Sequence, residues 1–112
     1  MTAALDPAIL TGDWRNTNAD GMLRRIVCTP DGDALSVQVD DWGSVPAWPY
    51  SFTFEAPAAG AFSATFERAG HRTRLQANVK AGVLVVVELT EFNDDSGRTN
   101  FFNREFFHRV SR

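Results

Sequence analysis

The stretch that decides the fold runs from Ala61 to Phe92 and reads AFSATFERAGHRTRLQANVKAGVLVVVELTEF. Apolar and polar residues alternate through much of it, which is typical of strands with one buried and one solvated face. The links at Gly70 and Gly82 are so short that the strands they join must pair antiparallel. The stretch therefore contains three predicted strands, at 61–67, 71–79 and 83–92.

The rest of the chain continues this pattern. Turns rich in Gly and Asx residues, such as 18–21 and 30–33, separate further short apolar segments. A sheet that buries one face needs a second layer, and closure into a barrel supplies it while removing the edges. We therefore expect an all-β chain that forms one domain over residues 1–112, a single eight-stranded antiparallel up-and-down barrel with a short N-terminal helical turn at 2–9. The other five strands are predicted at 10–16, 22–29, 33–41, 49–55 and 99–110.

Composition excludes several classes of function. The net charge of −3, from 11 basic and 14 acidic residues, argues against a nucleic-acid-binding protein. Cys28 is the single cysteine, so the sequence predicts neither an internal disulfide nor a multi-cysteine metal site. We see no motif for a metal or another cofactor, no apolar run long enough for a membrane helix and no signal peptide, so the expected location is cytoplasmic.

The first predicted strand carries Gly12-Asp13-Trp14. This motif, followed by a strand meander, resembles the Gly-x-Trp motif of the calycin barrels, which include the lipocalins, the fatty-acid-binding proteins and the avidins. The resemblance implies a barrel that holds a small ligand, with Trp14 closing one end beneath a basic residue of a late strand, Arg104 or Arg109. Other segments are similar to small bacterial barrel proteins, namely Trp14-Arg15-Asn16, Gly21, Arg24 and Asp41-Trp42-Gly43.

Alternation also predicts which side chains surround a ligand. The turn 41–49 contains two Trp and two Pro, and it is either a lid over the barrel or a hydrophobic plug. Aromatic residues that share one strand face are expected to form the wall, and polar residues between apolar ones are expected to orient the ligand. The predicted ligand-binding residues are Trp14, Arg24, Trp42, Trp48, Phe52, Phe54, Phe62, Phe66 and Arg104, with Tyr50 as a hydrogen-bond donor.

Glu88 is the most informative of the polar positions. It alternates with Leu84 and Val86, which places it on the inner face. Because a buried charge must be paired, we expect an internal ion pair with Arg24 or Arg104. A buried Glu88 can also serve as a general acid or base of raised pKa, with Tyr50 as its catalytic partner. The alternatives are a purely structural ion pair, or a side chain that faces outward.

Three functions remain open. The first is non-covalent binding of a small, largely apolar or amphipathic molecule inside the barrel. The second is a cofactor-independent enzyme, such as a cyclase or isomerase of a polyketide-like substrate, because small bacterial barrels of this kind include such cyclases. The third is an interaction module with a solid core. Phe102 and Phe106 lie opposite Phe101 and Phe107, and 83–87 is apolar on both faces, so we expect a homodimer through strands seven and eight.

Overall fold

A computed structural model describes residues 6–52 and 58–111 of the chain. Each strand among these residues pairs antiparallel with the next, and the last strand pairs with the first. The result is a closed barrel, which confirms the predicted fold class. The strands are β1 Gly12–Asn16, β2 Arg25–Asp31, β3 Ala34–Val39, β4 Ser44–Tyr50, β5 Ala61–Arg68, β6 His71–Lys80, β7 Val83–Phe92 and β8 Phe101–Ser111.

Side-chain alternation fills the inside of the barrel. Trp14, Phe62, Phe66 and Phe107 are the largest of the fully buried side chains. Smaller apolar residues complete this core, so the middle and lower barrel is packed with side chains, as is usual at eight strands.

The two ends of the barrel differ. We call the end that carries the turns at 32–33 and 81–82 the lower end, and the opposite one the upper end. Residues 7–11 cover the lower end as a hydrogen-bonded turn, in which the N–H groups of Leu10 and Thr11 donate to the Pro7 carbonyl at 2.9 and 3.0 Å. This turn stands where we predicted helical structure, and the rest of that segment, residues 2–5, lies outside the described residues.

The fourth strand differs from its prediction. β4 spans Ser44–Tyr50 rather than 49–55, so the long turn at 41–49 shrinks to residues 40–43. Ala47 faces the core beside Leu35, which leaves Trp48 and Tyr50 on the outer surface, 61% and 53% exposed. Aromatic residues occupy one side-chain parity of this segment and the apolar residues Val45, Ala47 and Pro49 occupy the other, so either face could be buried, and a shift of one residue exchanges the faces. The prediction that Tyr50 faces inward was therefore wrong, as was the placement of Trp48 in a lid.

The segment after β4 corrects a further prediction. Phe52 is 64% exposed and its ring lies against Gly60, where a Cβ atom would collide with it. Phe52 therefore packs against Gly60 with most of its surface exposed, instead of lining the interior. Phe54, the other predicted wall residue of this segment, lies outside the described residues. No helix in the described part of the chain is long and apolar enough to cross a membrane.

Candidate functional site

The upper end of the barrel opens into a cavity of about 270 Å³, which we call the mouth. Most of its lining comes from strand positions that continue the inward alternation above the core. Arg68 follows Phe66 on β5, for example, and Phe92 follows Thr90 on β7. The mouth is lined by Met22, Trp42, Arg68, His71, Thr73, Thr90, Phe92, Arg98 and Phe101.

Aromatic rings form the walls of the mouth. Trp42, in the turn between β3 and β4, meets Phe66 edge to face with ring centroids 5.5 Å apart. Phe92 stands between His71 and Phe101, at centroid distances of 5.7 and 6.1 Å. Such spacings are favourable for aromatic pairs, so these rings hold one another in place around the opening.

Two threonines form a polar floor. Thr73 and Thr90 are direct neighbours across β6 and β7, and their hydroxyl oxygens lie 3.0 Å apart. Both side chains are buried, and either hydroxyl can donate to the other. The floor therefore offers a ligand hydroxyl groups that can donate or accept without carrying charge.

The rim of the mouth carries cationic groups. The Arg68 guanidinium lies 4.4 Å from the centroid of the Trp42 ring, and that of Arg98 lies 4.1 Å from the centroid of Phe92. Arg98 also forms an ion pair with Asp94 at 3.0 Å. The guanidinium groups of the two arginines thus lie over the faces of two aromatic wall residues, Trp42 and Phe92.

One layer below the floor, Glu88 is fully buried. Its neighbour is a second carboxyl group, that of Glu105, and neither oxygen of Glu88 accepts a hydrogen bond of good geometry from any described residue. Burial raises the pKa of Glu88 to about 8, and Glu105 contributes further to the rise. Glu88 therefore keeps its proton at neutral pH, which removes the need for a cationic partner.

The predicted ion pair of Glu88 was wrong for both candidate arginines. Arg24 precedes β2, where its backbone N–H donates to Asp40 at 3.0 Å while its side chain is exposed. Arg104 is exposed because Glu105 and Phe107, its neighbours on the inward side of β8, take the interior positions. The barrel interior thus holds the Glu88 carboxyl group in its neutral, protonated form and not as part of an ion pair.

Glu105 fastens the connection between β1 and β2. One of its oxygens accepts a hydrogen bond from the Asn16 amide at 2.5 Å, and the other accepts one from the Leu23 N–H at 3.1 Å. Gly21 lies so close to the side chains of Asn16 and Glu105 that a Cβ atom at this position would collide with them. These contacts hold residues 17–24 against the upper barrel, so that Met22 reaches the mouth.

The lower end has the arrangement that the calycin resemblance implies. The Arg109 guanidinium lies 4.6 Å from the centroid of the Trp14 ring, and the Trp14 indole N–H donates to the Leu10 carbonyl at 2.9 Å. Arg109 also donates to the carbonyl of Ile9. Of the two candidates, Arg109 is thus the basic residue over Trp14, while Arg104 lies on the outer surface.

The structure brings few of the predicted site residues together. Trp42 and Phe66 meet at the mouth, Phe62 lies in the core, and Trp14 closes the opposite end. Glu88 and Tyr50 lie on opposite faces of the barrel wall. The sequence prediction did not include most residues of the mouth. They continue the inward-facing positions of their strands above the core, so the same alternation of side chains could have identified them. These are Arg68, His71, Thr73, Thr90, Phe92 and Phe101.

Other chemistry finds little support in the described part of the chain. No group of three or more His, Cys, Asp or Glu residues there is placed to hold a metal ion. Burial raises the pKa of the Cys28 thiol to about 12, so this thiol is no ready nucleophile. Comparisons of the chain with protein-family models, with curated proteins and with solved structures found no match. The closed barrel is compatible with a calycin-like architecture.

Proposed function

We propose that this barrel binds a small, largely apolar molecule at its mouth. The observation that carries the proposal is the cavity of about 270 Å³, with aromatic walls above a floor of two hydroxyl groups. Apolar walls with a few convergent polar groups are the usual composition of small-molecule sites. The aromatic rings supply apolar contact area, and the threonines orient a polar atom of the ligand.

The proposal places the ligand higher in the barrel than the sequence alone suggested. Phe62, Phe66 and Phe107 occupy the interior beneath the mouth. Since ligand cavities typically have volumes of about 300–1,000 Å³, the mouth suits a small ligand of one or two rings.

Fluorescence titration with the neutral two-ring probe 1-aminonaphthalene tests the proposal. Phe101→Ala removes one wall of the mouth, and we expect it to weaken probe binding by about tenfold. Phe102→Ala is the matched control, because this adjacent phenylalanine points to the outer surface, where it is 69% exposed. Equal affinities of the two variants, or no binding by the unmodified protein, would contradict the proposal.

The enzyme alternative is weaker than the binding function. A cyclase or isomerase that uses Glu88 with Tyr50 would need both groups on one side of the barrel wall, and Tyr50 lies outside. Thr90 and Thr73 also stand between Glu88 and the mouth. No contact among the described residues favours catalysis over binding, and a cytoplasmic location likewise stays a prediction.

A second candidate function, self-association, has one observation in its favour. The outer face of β8 exposes Phe102, Phe106 and Val110, with Arg104 and His108 between them, and the outward valines of β7 lie beside this face. Apolar residues of neighbouring strands thus form one strip, as at many subunit interfaces. The partner that we infer is a second copy of this chain, bound through the two strips.

A further inference from the structure

We propose that the ligand of the mouth is an amphipathic anion, whose negatively charged headgroup binds Arg68 while its apolar body lies between Trp42 and Phe101. This inference rests on the proposed binding function and adds the chemical class of the ligand.

The charges at the mouth differ from those of the chain as a whole. The protein has 14 acidic and 11 basic residues, yet the described residues that line the mouth include two arginines, a histidine and no carboxylate. A cavity lined by one sign of charge attracts ligands of the opposite sign. The local excess of cations over an apolar cavity therefore favours an anion with an apolar body.

Of the two arginines that line the mouth, Arg68 is the one available to bind a ligand. Arg98 is already paired with Asp94 at 3.0 Å. Arg68 has no carboxylate partner within residues 6–52 and 58–111, and its contact there is the face of Trp42. A guanidinium that stacks on an aromatic ring keeps its N–H edge available, and that edge matches the two oxygens of a carboxylate.

The core supports the aromatic ring on which Arg68 lies. Its Trp42 platform is held edge to face by Phe66, which is fully buried. The guanidinium thus has a fixed aromatic surface to lie on when a headgroup binds, which lowers the cost of ordering it.

The acidic residues beneath the mouth do not oppose an anion strongly. Glu88 is neutral at pH 7 because burial holds its pKa near 8. Glu105 directs its oxygens to Asn16 and Leu23, on the side of the barrel where β1 meets β8. Neither carboxyl group is among the residues that line the cavity.

Calorimetric titration with 1-naphthaleneacetate and with 1-naphthaleneacetamide tests this inference, because the two probes have the same size and differ in charge. We expect the carboxylate to bind about tenfold more tightly at low ionic strength, and its advantage to shrink as salt is added. Arg68→Gln should abolish the difference in affinity between the two probes, whereas Arg68→Lys should retain part of it. Arg74→Gln is the control, since Arg74 lies on the outer face, paired with Glu91.

The outcomes separate the two proposals. Equal binding of both probes overturns the charge assignment and leaves the binding function intact. A uniform loss with Arg68→Gln overturns it as well, because it would show a purely structural role. Failure of both probes to bind overturns the proposed function itself.

Discussion

Arg109, near the end of β8, lies over the ring of Trp14 on β1, with its guanidinium carbon 4.6 Å from the ring centroid. The contact joins the first and last strands at the lower end. Cation–π contacts contribute about 0.5–2 kcal/mol, and the Arg109 side chain also donates to the Ile9 carbonyl.

We predict that Arg109→Gln lowers the free energy of unfolding by about 1–3 kcal/mol, since it removes both the contact with the indole and a charged donor. Urea denaturation measures this change. Arg104→Gln on the same strand is the control, and its exposed side chain should matter by less than about 0.5 kcal/mol. Similar losses in both variants would show that the Trp14 contact contributes little.

Glu88 makes stability depend on pH. Its pKa is about 8 in the folded protein, against an ordinary value of 4.5. Between these values the folded state holds a proton that the unfolded state releases, so the free energy of unfolding should fall as pH rises from about 5 to about 8. The carboxyl groups of Glu105 and Asp40 act in the same direction on Glu88.

We predict that Glu88→Gln removes most of this decline, so that the variant is more stable than the unmodified protein at pH 8 by up to a few kcal/mol. Urea denaturation at both ends of the pH range measures it. Glu91→Gln, an exposed change on the same strand, should keep the decline. A Glu88→Gln variant with the same pH profile as the unmodified protein would contradict this prediction.

The stability effects of changing Thr73 and Thr90, the two threonines of the floor, should not be additive. Thr90→Val alone leaves the buried Thr73 hydroxyl without its 3.0 Å partner, and we expect a loss of about 1–3 kcal/mol. Adding Thr73→Val removes the orphaned group, so the double variant should regain stability relative to Thr90→Val. A double-variant loss equal to the sum of the single losses would show that the hydroxyl groups are independent.

Self-association through β7 and β8 is testable by sedimentation. We expect a dimer at micromolar concentration that dissociates when Phe102 and Phe106, 69% and 45% exposed, are both changed to Ser. Changing the exposed Trp48 on β4 to Ser should leave the dimer intact. A monomer of the unmodified protein at the same concentration would remove this candidate function.

Much of the fold was predictable, because Gly70 and Gly82 separate short segments, and the alternation at 61–67 and 71–79 defines which faces of β5 and β6 are buried. The buried face of β4 could not be predicted. Trp48 and Tyr50 point to one side of this strand, while Val45, Ala47 and Pro49 point to the other. Either face is apolar enough to be buried, and packing against β3 and β5 determines which one faces the core.

The candidate site was harder to predict for a different reason. The sequence indicated a buried Glu88, but it suggested that an arginine would neutralise the charge, whereas the structure places Glu105 beside it. The protonation state of Glu88 depends on the groups packed around it, and the sequence does not show which groups these are. The mouth was missed because Arg68 and His71 flank a turn, where polar residues are normally taken as solvated.

The most direct test of binding at the mouth uses the three tryptophans as position markers. Trp42 lines the mouth, Trp14 closes the lower end with its indole N–H on the Leu10 carbonyl, and Trp48 is exposed on the outer wall. We would titrate ¹⁵N-labelled protein with 1-naphthaleneacetamide and follow the indole N–H resonances, assigned by single Trp→Phe variants. Binding at the mouth predicts a saturable shift of the Trp42 resonance while those of Trp14 and Trp48 stay in place. A shift centred on Trp48 or Trp14, or no shift at all, would contradict it.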